Sequence, residues 1–381
     1  MNWSAIIVAY LSLFVNGLVD NSRGPAYPEI LRHFQIGPSL GGLFFALSSL
    51  AGLSTNLASR YWLFRFSRLT AMRLCLWLQA LSCIGLGCAG IISDGFSLLL
   101  ISAILFGMGN GGLGTTLNLT VADASPPAIR RKTLSGLHAM YGFASLFAPL
   151  LFATAFHHHI AWPSYFTGLT ALPLALIAWS YRPGLPNGAP PNERLLAPSL
   201  PWAKRLPTGA IFALAVGAEL SISCQLVFYI EEVYTWDKQR AASYLSLFFL
   251  FLLSGRLLFA LKKFPWTSQT WLLLSSGISC CLFLIGLASH PFFLALCGLS
   301  ISIFFPCGMD WVSQRFPQQI GIMTASIMIM IGSTLVLMHF MLGILADIIG
   351  IRLALLMGPL FLVGCFGLLL IERQRQSAQS Q

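Results

Sequence analysis

Asn16, Asp20 and Arg23 lie in one apolar stretch, FVNGLVDNSRGPAYPEI (14–30), at spacings of four and then three. A helix presents all three on one face. A carboxylate and a guanidinium are costly inside an apolar span, and they mark an ion or solute pathway. The plainer alternative is an Asp20–Arg23 pair in headgroup water, which contributes little. A second carboxylate, Glu219 in GAELSISCQ, stands about twelve residues into another apolar run, or about 18 Å along a helix. There it could load and release an ion as its surroundings alternate between wet and dry, or serve as a fixed hydrogen-bond acceptor. Asp20 and Glu219 are the candidates for ion coupling.

Other polar residues within apolar runs are few. Asn16, Asn118, His138, Gln225 and His339 are candidates for a substrate cavity. Arg23, with Glu29, falls at the outer exit of the first run and reads as a gate or headgroup contact. Asp310 stands near the end of a later run with Arg315 close by, and a gate salt bridge to Arg256 is the expected arrangement. The run His157-His158-His159 reads as a solvated loop, and no metal site is expected. No phosphate-binding Walker loop, HExxH or GxSxG pattern is present, so no enzyme activity and no cofactor are expected. Any solute movement would be passive or ion-coupled, with proton or sodium as the ion.

The elements that position these residues follow from composition. Hydrophobic residues make up 56% of the 381 positions and charged residues 9%, and the mean hydropathy is +0.78. A soluble domain carries roughly 25% charged residues. Such a chain needs lipid as its solvent. The net charge of +10 is spread through short loops between apolar runs, which is a topology signal and argues against nucleic acid as a partner. The nine cysteines lie within apolar runs with no CxxC pair and read as small apolar residues. The opening MNWSAIIVAYLSLFVNG lacks a basic start and a small-residue cleavage site, and is expected to be a retained first helix.

About 20 apolar residues cross the hydrocarbon. Cutting at charges and Pro/Gly clusters predicts twelve spans: 3–22, 38–59, 70–92, 96–120, 134–156, 162–180, 207–230, 240–261, 269–289, 291–312, 319–345 and 352–371. Placing the N-terminus inside leaves only Arg23, Arg32, Lys238, Arg240 and Arg352 outside, so both termini are expected in the cytoplasm. The proline-rich stretch YRPGLPNGAPPNERLLAPSLPWAKRL cannot continue a helix and divides the spans six and six. The expected organisation is an N-terminal six-helix bundle (1–181), a cytoplasmic linker (182–206), a C-terminal six-helix bundle (207–372) and a tail (373–381). The halves echo one another: the second span ends LASRYWLFRFSR and the eighth LSGRLLFALKKF. Two six-span repeats about a central loop are the layout of a rocker-type secondary transporter.

With the spans placed, the chain resembles the major facilitator superfamily, and within it the fucose/glucose–proton symporter-like branch. LSGLHAMYGFASLFAPL (134–150) is similar to LNxLHxxFGxGAxxGPL, GAELSISCQLVFYI (217–230) to GAExSxxxWxxxYx, and LSLFFLFLLSGRLL (245–258) to LSxFFxGLxxGRLL. The resemblance implies an all-α membrane fold of twelve transmembrane helices in two pseudo-symmetric six-helix bundles. It makes Glu219 a cavity carboxylate, His138 a cavity-lining residue and Asp20 a coupling carboxylate. The chain departs from the branch at Ser135, which replaces an asparagine, and at Gln225, which replaces a tryptophan that would stack on a sugar ring. The 2–3 loop lacks the superfamily's GxxxD start. The expectation is a secondary transporter of the bacterial inner membrane, acting as a monomer on a small, sugar-like solute, with the lipid bilayer as its other partner. An exporter of an amphiphilic drug or metabolite is the alternative, and a non-transporting membrane sensor a remote one.

Overall fold

The computed structural model describes residues 2–63, 65–182, 200–261 and 265–379. These are helical throughout, with no strand among the described residues. The order is α1 (Trp3–Phe34), α2 (Pro38–Trp62), α3 (Arg68–Ala89), α4 (Phe96–Ala124), α5 (Pro127–His157), α6 (Trp162–Leu169) and α7 (Ala171–Ser180). It continues with α8 (Trp202–Tyr234), α9 (Lys238–Leu261), α10 (Ser268–Ala288), α11 (Phe292–Ile301), α12 (Phe304–Arg315), α13 (Ile320–Ile349), α14 (Ile351–Ala354) and α15 (Met357–Gln379). Eleven stretches among the described residues are long and apolar enough to cross a membrane. The pair α6 and α7 supplies a twelfth crossing, interrupted at Thr170.

Three crossings are broken, and each break has the same cause. Pro173, Pro306 and Pro359 stand four residues after Leu169, Ser302 and Leu355, where α6, α11 and α14 give way to the next helix. A proline has no N–H for the carbonyl four residues back, and its ring crowds that carbonyl. The expected separation at Ser289-His290-Pro291 is present, between α10 and α11.

Several predicted boundaries differ from the structure, among them the start of the fifth span, now at Pro127, and the end of the last, now at Gln379. The first span was expected to stop at residue 22, but α1 continues through Pro25 and Pro28 to Phe34. The segment from Ser22 to Pro28 is buried, so its packing holds the helix through the two missing hydrogen bonds. The helix ends where Gln35 adopts a left-handed conformation and its N–H returns to Arg32 and Leu31. The seventh span was expected from 207, but α8 begins at Trp202, with Pro207 tolerated near its start. The rest of the expected linker lies almost wholly outside the described residues, as do Arg194, Lys262 and Lys263.

The chain forms two compact units, Met1–Arg194 and Leu195–Gln381. Their helices start in near-constant register: 3 and 202, 38 and 238, 68 and 268. The repeat extends to packing. A Cβ on Gly107 of α4 would lie 2.0 Å from the Ser48 carbonyl of α2, and one on Gly298 of α11 would lie 2.3 Å from the Phe248 carbonyl of α9. Ser48 and Phe248 are related by the same offset as the helix starts. Each unit therefore brings two backbones together through a glycine, the usual device where no hydrophobic effect drives helix association. On α3, Leu74, Trp77, Leu81 and Ile84 are exposed at helical spacing, a stripe suited to lipid.

Candidate functional site

The polar residues of unit 1 gather where α1, α2, α4 and α5 meet. Asp20 forms an ion pair with Arg23 one turn on, and its second oxygen accepts a hydrogen bond of 2.7 Å from the Tyr141 hydroxyl of α5. The Arg23 guanidinium donates to Ser48 Oγ of α2 at 2.9 Å and lies 4.1 Å from the centre of the Phe106 ring of α4. Phe44 and Phe45 close the other sides at 5.6 and 5.5 Å. The side chains of Arg23 and Asp20 are only 9% and 18% exposed. Arg23 is thus buried in unit 1, where a contact with lipid headgroups was one of its two expected roles. Because α1 runs twelve residues beyond the predicted end, Arg23 falls inside the packed unit, where an ion pair, a hydroxyl and an aromatic face together offset its desolvation.

One turn inward, Asn16 is buried and donates to Asn110 Oδ1 of α4 at 2.9 Å, while its own carbonyl oxygen accepts from Gln79 Nε2 of α3. Asn16 therefore holds three helices together; the face it was expected to share with Asp20 and Arg23 is turned into the bundle. Asn118 is half-buried and donates to the Gly114 carbonyl of its own helix. Gly114 itself borders open space. His138 is exposed on α5, one turn before Tyr141.

In unit 2, Glu219 stands as far into α8 (from Trp202) as Asp20 does into α1 (from Trp3). Its carboxylate lies 3.9 Å from the Arg256 guanidinium of α9, with side chains 21% and 39% exposed. This replaces the expected pairing of Arg256 with Asp310. Asp310 is exposed and accepts instead from Ser268 at the start of α10 and from Gln314 Nε2, one turn along α12, at 2.8 Å. Gln225 is buried with its Oε1 lacking a hydrogen-bond partner, and His339 is buried on α13.

Several residues of these networks carry little sequence signal. Tyr141 and Gln79 stand in apolar runs and are visible only as polar groups with no assigned partner. Glu372 stands in the expected C-terminal boundary, yet it is 3% exposed and pairs with both Arg315 and, at 3.3 Å, Arg375. Among the described residues no group of three or more His, Cys, Asp or Glu side chains could hold a metal ion. His157, His158 and His159 are all exposed.

Two carboxylates at matched depth in the first helix of two repeated units, each beside an arginine, sit within a fold that known proteins share. The sequence model of the Major Facilitator Superfamily matches residues 9–333. The chain belongs to this superfamily. Among solved structures it is similar to a bacterial homolog of the human lysosomal transporter Spinster, at 12% identity and a TM-score of 0.75, over 97% of this chain and 96% of that one. It is similar also to the nucleoside transporter NupG (12% identity, TM-score 0.75, 96% and 99% covered). A D-xylose–proton symporter matches at 14% identity and a TM-score of 0.70, over 97% of each chain. At these identities the likeness is one of fold. No curated protein sequence matches the chain.

As a major facilitator protein the chain has the fold of a membrane transporter, and its two arginine–carboxylate pairs differ in a way that bears on chemistry. Asp20 is enclosed and has a partner for each oxygen. Glu219 has a longer contact to a more exposed arginine, so its ion pair is the easier to open.

Proposed function

We propose that the chain is a secondary active transporter that moves a small, polar, sugar-like solute by alternating access, with a proton as coupling ion. The observation that carries this reading is the matched pair of mid-helix carboxylates. Protonating Glu219 would discharge its contact with Arg256 and free both side chains to exchange partners, and a solute bound nearby could bias that exchange. The enclosed Asp20–Arg23–Tyr141 network would respond to the same exchange or act as the fixed frame for it. Support for a hydroxyl-bearing solute comes from the D-xylose–proton symporter and the nucleoside transporter among the similar structures, and from the Asn118 amide of α4, bonded to Gly114, which borders open space. The orientation proposed places both termini in the cytoplasm of a bacterial inner-membrane protein, with the domain limits given above and one chain as the working unit.

The test is uptake and counterflow in proteoliposomes over a panel of pentoses, hexoses and nucleosides, with and without a pH gradient. In Glu219→Gln, gradient-driven uptake should be lost while counterflow persists. If Glu219→Gln and Asp20→Asn both keep gradient-driven uptake at the wild-type rate, proton coupling through these carboxylates is wrong.

A further inference from the structure

Unit 1 carries an apolar groove that the transport reading does not use. It holds about 570 Å3 and runs between α2 and α3 over α4, lined by Ala51, Ser54, Trp62, Leu78 and Met108, with Phe66 at one end. Apolar atoms make up nearly all of its wall. In a bilayer such a groove meets acyl chains, and what distinguishes this one is the charge at its aromatic end. Arg65 stands between Trp62 and Phe66, in a turn where its N–H donates to the Trp62 carbonyl at 3.0 Å. Its side chain is exposed.

Two other arginines of the same basic run, Arg68 and Arg73, are occupied. Arg68 pairs with Asp123 at 3.2 Å. Arg73 donates to Ser180 Oγ at 2.7 Å and lies 3.9 Å from the Tyr181 ring centre. Arg65 has no ion-pair partner among the described residues. Arg65 thus stands, exposed, in the turn between two residues that line the groove's end, Trp62 and Phe66, and Trp62 is of the kind that gathers at the headgroup level.

We propose that this groove seats one acyl chain of an anionic glycerophospholipid, with the lipid phosphate on Arg65. The two requirements are met by different parts of the site. The apolar walls take the chain without selecting a headgroup. The guanidinium selects phosphate bearing a net negative charge, because a zwitterionic headgroup brings its own cation to the same place. Neither requirement involves Asp20 or Glu219, so the site stands or falls independently of the coupling mechanism.

The test uses the full-length protein in vesicles of phosphatidylglycerol and phosphatidylcholine at equal amounts, extracted in mild detergent and weighed intact by native mass spectrometry. The expected result is one retained phosphatidylglycerol per chain, preferred about fivefold over phosphatidylcholine. Arg65→Gln should bring the preference to parity while lipid is still retained. Ser54→Phe, a change at an exposed groove position, should fill the groove and reduce retention of both lipids. Equal retention of the two lipids by the wild type overturns the proposal, as does an Arg65→Gln protein with its preference intact. A lipid-free dimer, or a retained solute that is not a lipid, overturns it too, because another occupant then covers the face.

Discussion

The Tyr141 hydroxyl donates to Asp20 at 2.7 Å, joining α5 to α1 across 121 residues of chain. That bond, with the Arg23 ion pair, leaves neither oxygen of the Asp20 carboxylate without a partner. The equivalent carboxylate of the second repeat, Glu219, has one ion-pair partner among the described residues, and that at 3.9 Å. Two units built on one plan thus hold their carboxylates with different firmness. The difference makes separate demands on stability and on transport.

Stability should separate the two positions. Asp20→Asn leaves Arg23 inside the unit without a counter-charge, a change that typically costs about 3–5 kcal/mol. Glu219→Gln removes a long, partly exposed contact and should cost no more than about 1 kcal/mol. Thermal unfolding of both variants in one detergent checks this ordering. Equal midpoints would show that the Asp20–Arg23 pair is not the buried strut described above.

Tyr141→Phe retains the ring and removes only the hydroxyl. A hydrogen bond to a charged acceptor contributes about 1.5–3 kcal/mol, so the variant should unfold at a lower temperature than the wild type. Combining it with Asp20→Asn should add less than the sum of the two single effects, since both act on one interaction. A double-mutant cycle on thermal midpoints measures the coupling. Strict additivity would place the two side chains in independent environments.

Much of this fold is legible in the sequence, because bilayer thickness, charge in the loops and a proline-rich centre each leave a long-range mark on composition. The helix boundaries are less so. Pro25 and Pro28 look like a terminus, but the burial of Tyr27 and Ile30 around them carries α1 on to Phe34. Polar partners are harder still. Asp20, Arg23 and Glu219 announce themselves as charges in apolar runs, whereas the choice of Glu219 over Asp310 for Arg256 depends on where α8, α9 and α12 lie in space. Asn16 shows the same limit: its helical face is readable, but which neighbours that face meets is not.

The glycines of α4 should behave in opposite ways. Gly107→Ala places a methyl 2.0 Å from the Ser48 carbonyl, so α2 and α4 must separate, and overpacking of this kind costs about 1–3 kcal/mol. Gly114→Ala meets nothing within 4 Å and should be neutral or stabilising by up to about 1 kcal/mol, because alanine favours the helix. Comparing their melting temperatures tests the close approach of α2 and α4. A Gly107→Ala protein as stable as Gly114→Ala would contradict it.

Glu372 should matter far more than its place near the end of the chain suggests. It is 3% exposed and joins the end of α15 to Arg315, whose guanidinium also lies 5.4 Å from the ring centres of both Trp311 and Phe316. Glu372→Leu would leave Arg315, itself 28% exposed, without its carboxylate among those rings, and the expected loss is about 3 kcal/mol. Arg375→Gln removes the other partner, but that side chain is 63% exposed and its pair contributes at most about 1 kcal/mol. Proteolysis of the C-terminal end in detergent gives a local readout: cleavage should accelerate in Glu372→Leu and stay near the wild-type rate in Arg375→Gln. If both variants are cleaved at the wild-type rate, the Arg315 pairing does not hold α15 to α12.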